Sequence, residues 1–378
     1  MGRQQIGEDA PSADSGGHAE RHEGRGVLCA DLDAMFAAVE MRERRLPPDA
    51  LVVVGGDPNR RGVVSTCSYA ARAFGVRSAM PASQAIRLCP RATFIRPRHD
   101  LYSAYSRRVM AALGRFGPLE QVSIDEAFVA IDRSDVSAAV GRAAKAAVRE
   151  ASGLVISVGL AANKLVAKVA SDYGKPDGLV VVPPGEEATF LAPLPIGKLY
   201  GVGPKTAGRL RELGVERVED LARLPLGSLR ERFGDHLGLV LWRHARGLDD
   251  SEVVTHRDPK QFSQETTFES DVADRARLWH AIREQSRALA ERLARDDLIA
   301  RTVTLKLRYG DFTTFTRSLS PAGAVAEPAE IAAAAGALVR ANWQRGRPIR
   351  LLGVAVSRFE PARSWRQLAL PGFPLAGT

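Results

Sequence analysis

Three carboxylates stand at the ends of two short apolar runs. The first run is Val27-Leu28-Cys29-Ala30-Asp31-Leu32-Asp33-Ala34-Met35-Phe36-Ala37-Ala38-Val39-Glu40, and the second is Val122-Ser123-Ile124-Asp125-Glu126-Ala127-Phe128. Hard divalent cations such as Mg²⁺ take oxygen ligands, usually one or two carboxylates plus substrate phosphates. Asp31, Asp125 and Glu126 are the residue types to hold two such ions against a triphosphate, an arrangement that polymerases use. Geometry sets a condition. Neighbours on a regular strand face opposite ways, so Asp125 and Glu126 share a metal only where the chain bends, at a turn or bulge. The plainer reading is that Asp31 or Asp33 caps the helix starting near Met35, and that Asp125-Glu126 is a solvated hairpin tip.

Strand-like and helical runs alternate around these groups. Strand-like runs lie at 27–30, 51–54, 63–67, 122–123, 127–131, 156–160 and 179–182, with helical runs at 101–116 and 136–151. That mix predicts an α+β unit built on a sheet. Pro183-Pro184-Gly185 ends it, a helical, glycine-punctuated stretch runs to Gly247, and a polar linker follows at 248–259. The rest reads strand 262–267, helix 275–296, strands 302–309 and 313–318, helix 329–343, strand 349–358. This is a β-α-β-β-α-β order.

A chain of 378 residues suggests two to four domains, and a hydrophobic content of 45% supports real cores. The net charge of +9 favours an anionic partner. Of 53 basic residues 45 are arginine, whose planar fork suits phosphate. Cys29, Cys67 and Cys89 are odd in number and lack paired metal-ligand spacing, which points to a reduced cytosol. No apolar stretch approaches ~20 residues, so no membrane span is expected. Residues 1–25 are polar, with no apolar core for a signal peptide. They read as a disordered tail, in which His18 and His22 are not metal ligands.

The motifs also occur in a telling order. Asp31-x-Asp33 runs into Phe36-Ala37-x-Val39-Glu40. Ser68-Tyr69-x-Ala71-Arg72 with Phe74-Gly75-Val76 follows, then Ser123-Ile124-Asp125-Glu126-Ala127, Asn163-Lys164-x4-Lys168, and Lys175-Pro176-x-Gly178. From about Val27 to Arg358 the chain resembles a Y-family translesion DNA polymerase, in the bacterial DNA polymerase IV (DinB) branch. The resemblance implies an α+β multidomain right hand. Its palm would be 26–36 and 98–182, its fingers 37–97, its helical thumb 183–247, its linker 248–259 and its little finger 260–358. Residues 359–378 would be a C-terminal tail.

The same resemblance implies roles for single residues. One Mg²⁺ would be held by Asp31, Asp125 and Glu126, and a second by Asp31, Asp125 and the Leu32 carbonyl, with Mn²⁺ as the alternative ion. Phe36 matches the aromatic that packs under the sugar and rejects a 2′-OH; Met35 departs from the family's usual aromatic pair. Tyr69, Arg72 and Lys175 would contact the triphosphate, as charge on leaving pyrophosphate requires. Tyr69 and Arg72 stand at i, i+3, one helix face. Val63 and Ser65 would lie over the nascent base pair, their small side chains leaving an open site.

Leu199-Tyr200-Gly201-Val202-Gly203-Pro204-Lys205-Thr206-Ala207-x-x-Leu210 is similar to a helix-hairpin-helix motif. There Gly201, Gly203 and Lys205 would meet a DNA phosphate through backbone N–H groups and a helix N-terminus. The tail Gln367-Leu368-Ala369-Leu370-Pro371-Gly372-Phe373 is similar to sliding-clamp-binding tails, with Gln367, Leu368, Leu370 and Phe373 as contacts.

The expected partners are primer-template DNA, deoxynucleoside triphosphates and the bacterial sliding clamp, for a cytoplasmic monomer without a proofreading exonuclease. The rival expectation is a polymerase-shaped, non-catalytic DNA- or clamp-binding factor.

Overall fold

The computed structural model describes residues 24–362. Residues 1–23 of the expected N-terminal tail and the clamp-binding residues Gln367, Leu368, Leu370 and Phe373 lie outside the described residues; Arg25, expected to end that tail, is instead the first residue of a strand, opposite Asp132. The chain divides between His256 and Arg257 into two compact units, a boundary inside the expected linker.

In the first unit a five-stranded sheet runs Leu119–Gln121, Glu126–Asp132, Arg25–Leu32, Ile156–Ala161, Leu179–Val181. Only the last pairing is parallel. The Arg25–Leu32 strand is central and buried on both faces, as its continuous apolar run requires. Its period of two sends Val27 and Cys29 into one core and Leu28, Ala30 and Leu32 into another. The odd-numbered face also carries Asp31. Helix Lys164–Tyr173 covers that face. Asn163 caps it by accepting a hydrogen bond from Val166 N at 3.0 Å. The helix sits close because Gly159 has no side chain: a Cβ there would lie 2.1 Å from the Ala167 carbonyl oxygen.

A smaller three-stranded sheet orders Val64–Cys67, Val52–Gly55 and Thr93–Ile95. Its core is Val53, Val64, Cys67, Ala71, Val76, Ala85 and Cys89. Short helices between Glu187 and His244 share the core of the Lys164–Tyr173 helix. All three cysteines are buried and free.

The second unit has the expected β-α-β-β-α-β order: Gln261–Val272, Arg275–Arg295, Leu298–Tyr309, Thr314–Leu319, Pro328–Asn342, Ile349–Pro361. Its antiparallel sheet runs Thr314–Leu319, Leu298–Tyr309, Ile349–Pro361, Gln261–Val272. Two sequence readings are corrected. The final strand continues three residues past Arg358, paired with Leu298–Ala300. No strand forms at 122–123; the strand is Leu119–Gln121, and the chain bends at Ser123–Asp125.

Helix Met35–Glu43 is anchored at a fully buried Glu40. Its carboxylate accepts from Arg98 Nε (2.9 Å) and Nη2 (2.6 Å), Tyr102 OH (2.7 Å) and Arg44 Nε (3.0 Å). Burial opposes the charge, but these donors, Arg98 first, outweigh it and hold the carboxyl down at about 2. The folded value lies below the ordinary 4.5. The contribution is therefore complete above 4.5 and is lost as pH falls from there toward about 2. Glu40→Ala should cost about 3 kcal/mol, the scale of breaking a buried pair from one side. Denaturant melts of both proteins between pH 7 and pH 3 should show the gap narrowing with acidity.

Candidate active site

The Arg25–Leu32 and Glu126–Asp132 strands pair with Asp31 opposite Glu126. Glu126 shares the face of Phe128, as Asp31 shares that of Cys29, so both carboxylates point toward the Lys164–Tyr173 helix. Asp125 has the opposite parity and reaches the site because the chain bends before it. The bend is held by Val122 N and Ser123 N donating to the Glu126 carbonyl (3.0 and 3.3 Å), and by Leu32 N donating to the Asp125 carbonyl (2.9 Å). This is the break in strand geometry that the Asp-Glu pair demanded. Neither Asp31 nor Asp33 caps the helix: the N-cap is Ala34, in left-handed geometry at φ 49°, with no side-chain capping bond.

Asp31 and Glu126 are compensated by two lysines. Lys168 Nζ lies 2.8 Å from Asp31 Oδ2, 2.9 Å from Glu126 Oε2 and 3.3 Å from Asp172 Oδ2. Lys175 Nζ lies 2.6 Å from Asp31 Oδ2 and 2.7 Å from Asp172 Oδ1. Burial opposes the charge of both ammonium groups, yet Asp31 and its neighbours raise their affinity for the proton. Burial raises the Glu126 carboxyl, against the pull of Lys168. Burial also pushes the Cys29 thiol up, helped by Glu126.

A cavity of about 270 Å³ opens here, lined by Asp31, Leu32, Phe36, Ser65, Tyr69, Arg72, Asp125, Glu126 and Lys175. Residues of three expected roles therefore meet: metal ligands, sugar gate and phosphate cations. Phe36 is half-buried, stacked on Tyr102 at 4.2 Å between centroids and edge-on to His99 at 5.9 Å. Arg72 lies over the Tyr69 ring at 4.6 Å, the i, i+3 pairing the sequence predicts, on a helix capped by Ser68. The Tyr69 hydroxyl donates to Asp33 Oδ1 at 3.0 Å, so donation to a phosphate requires release of that bond. Ser65 and Val63 are both exposed and two residues apart, hence on one strand face; Ser65 lines the cavity and Val63 does not. A larger cavity, about 530 Å³, lies at the other end of the central strand among Arg25, Asp132, Asn163 and Asp249, and holds none of these carboxylates.

The donor set suits a hard divalent ion, with three carboxylates and the Leu32 carbonyl offering oxygen. Among the described residues, no three acidic, histidine or cysteine side chains close on a single point. Ser123 Oγ engages Asp125 Oδ1.

At 196–211 a 3-10 turn, Ile196–Lys198, leads through Gly201 (φ 87°) into helix Pro204–Arg211, with Gly203 as N-cap. Gly203 and Lys205 are exposed, and a Cβ on Gly203 would meet nothing within 4 Å. This helix start is exposed to solvent, and its first residue, Pro204, has no N–H to offer.

The impB/mucB/samB family model matches residues 30–172, and the model of that family's C-terminal domain matches 259–370. A model described as the DNA polymerase-iota thumb domain matches 197–249. DNA polymerase IV of Halorhodospira halophila is 42% identical over 91% of this chain and 98% of its own. That of Methanoculleus marisnigri is 44% identical over 88% and 94%. That of Listeria monocytogenes is 38% identical over 89% and 96%.

The chain belongs to the DNA polymerase IV branch of the Y family.

A solved Y-family DNA polymerase chimera shares the fold, at TM-score 0.78 and 24% identity, over 88% of this chain and 98% of that one. The Y-family right hand is thus the architecture of this chain, with a helix-hairpin-helix thumb and a C-terminal β-α-β-β-α-β domain. Among the described residues, no helix is long and apolar enough to cross a membrane. Four neighbours of the cavity carry no site role in the sequence: Asp33, which reads there only as a possible helix cap, Ser123, Lys168 and Asp172. Lys164, Lys168 and Asp172 recur at intervals of four on one face of helix Lys164–Tyr173, and that charged stripe was the available signal for Lys168 and Asp172. Asp33 and Ser123 carry no such mark.

Proposed function

We propose that this Y-family polymerase performs template-directed, low-fidelity translesion synthesis without proofreading, adding deoxynucleotides to a primer 3′ end. The observation that carries this reading is one cavity lined by Asp31, Asp125 and Glu126, by Arg72 and Lys175, and by Phe36. The primer 3′-OH gives up its proton to solvent as its oxygen bonds to the α-phosphorus, the bond from that phosphorus to the bridging oxygen breaks, and pyrophosphate leaves. Arg72 and Lys175 offset charge on the departing pyrophosphate, and the Tyr69 ring supports Arg72. Asp31, Asp125, Glu126 and the Leu32 carbonyl would hold two Mg²⁺ ions, or Mn²⁺, which when bound supply Lewis acidity to the attacking and leaving oxygens. Phe36 excludes a ribose 2′-OH, and Ser65, with Val63 at the rim, leaves space beside the nascent pair. Gly201, Gly203 and Lys205 grip duplex phosphate without reading sequence. The chain acts as a cytoplasmic monomer.

Extension of a labelled primer by the purified protein with Mg²⁺ and deoxynucleotides is the test. DNA binding with no extension would overturn the reading in favour of a non-catalytic DNA- or clamp-binding factor.

The tail anchors this enzyme to the bacterial sliding clamp through Gln367, Leu368, Leu370 and Phe373. Two apolar anchors in one pocket carry most of such an interface, and a tether raises local concentration without touching the active site. Deleting residues 367–378 should leave extension on a bare primer unchanged and remove stimulation by loaded clamp. Stimulation that survives the deletion would exclude the tail as the docking segment.

A further inference from the structure

Asp33 is 7% exposed and lies two residues beyond Asp31. Its carboxylate accepts from Tyr69 OH at 3.0 Å, from Ser157 Oγ at 3.0 and 2.9 Å, and from Asp177 N at 2.7 Å. Ser157 Oγ in turn accepts from Gly178 N at 3.2 Å. An ionised carboxylate is acceptor-only, so it satisfies several donors at once, and these donors make its burial tolerable.

The donors belong to segments far apart in the chain, 36 residues away at Tyr69 and 144 at Asp177. Two of these segments, those of Tyr69 and Asp177, carry a cation to which the proposed function gives the triphosphate. Tyr69 supports the Arg72 guanidinium 4.6 Å above its ring. Asp177 is two residues past Lys175, whose Nζ reaches Asp31 Oδ2 at 2.6 Å. The Lys175 loop is gripped from its other side by Lys145 Nζ, 2.6 Å from the Asp177 carbonyl and 2.7 Å from Asp177 Oδ1. Asp33 is thus the group shared by the strand bearing Asp31, the helix bearing Arg72 and the loop bearing Lys175.

We propose that Asp33 is a positioning residue for the incoming nucleotide, setting Arg72 and Lys175 at a fixed spacing from Asp31 so that one triphosphate meets them together. The proposal rests on the polymerase reading above and adds a group that touches neither metal nor substrate.

Asp33→Asn keeps the shape and replaces one acceptor oxygen with an amide that faces donors. The expected result is a dNTP KM raised about tenfold or more, with kcat changed less than KM. Primer-template affinity by fluorescence anisotropy should stay within about twofold, because duplex contacts are untouched. Tyr69→Phe should raise KM in the wild type and add little to Asp33→Asn, since residues acting through one bond are not additive. An unchanged KM in Asp33→Asn, or full additivity with Tyr69→Phe, overturns the proposal. Arg72→Ala separates the two levels. If it raises KM while Asp33→Asn does not, only the positioning role fails; if neither moves KM, the site reading itself fails. Should Asp33→Asn fail to fold, Ser157→Ala removes one donor and leaves the carboxylate, and an unchanged KM there overturns the proposal.

Discussion

Asp125→Ala abolishes nucleotide incorporation and leaves DNA binding intact. The expected loss in primer extension is at least about 10³-fold, the scale of ~4 kcal/mol of transition-state charge stabilisation. Asp125 is the cleaner of two tests. Its side chain is partly exposed and bonded to Ser123, so its removal strands no buried charge. Asp31→Ala should be as inactive. It also strips Lys168 and Lys175 of their nearest carboxylate, leaving Glu126 and Asp172 as partners, and should lower stability as well. Primer extension, anisotropy with a labelled duplex and a thermal melt on each variant separate these effects. Extension retained in either variant would remove it from the metal-binding set.

Phe36→Ala should relax sugar selection by about 100-fold, measured as the ratio of deoxyribonucleotide to ribonucleotide incorporation, or ~2.7 kcal/mol of lost discrimination. The ring is held by Tyr102 on one side and His99 at its edge, so it cannot yield readily to a 2′-OH. Its loss forfeits one stacked pair, worth about 0.5–1.5 kcal/mol, so the variant should fold. An unchanged ratio would make Phe36 a packing residue. Met35, which is buried and lines the same cavity, would then be the next gate to test.

Part of this site is legible locally: carboxylates at the ends of apolar runs are read from residue type and a period of two. The expectations for Phe36, Tyr69 and Arg72 come from the ordered match to the Y family instead, since an aromatic on a helix face or a Tyr-x-x-Arg by itself signals nothing. The β-α-β-β-α-β order of residues 261–361 follows from periods of two and 3.6. Where local pattern misled, a neighbour intervened. Residues 122–123 look strand-like, but the turn that aims Asp125 takes them out of the ladder.

Pairings across the chain were not legible. Asp31 with Lys168 spans 137 residues, and Asp33 with Asp177 spans 144. Asp33 reads as a helix cap in sequence and becomes a buried acceptor for three segments in the fold. Residue type declares which bonds a side chain is able to make. Which bond it does make depends on what the sheet and the Lys164–Tyr173 helix bring within about 3 Å of it, and that proximity is a property of packing rather than of sequence spacing.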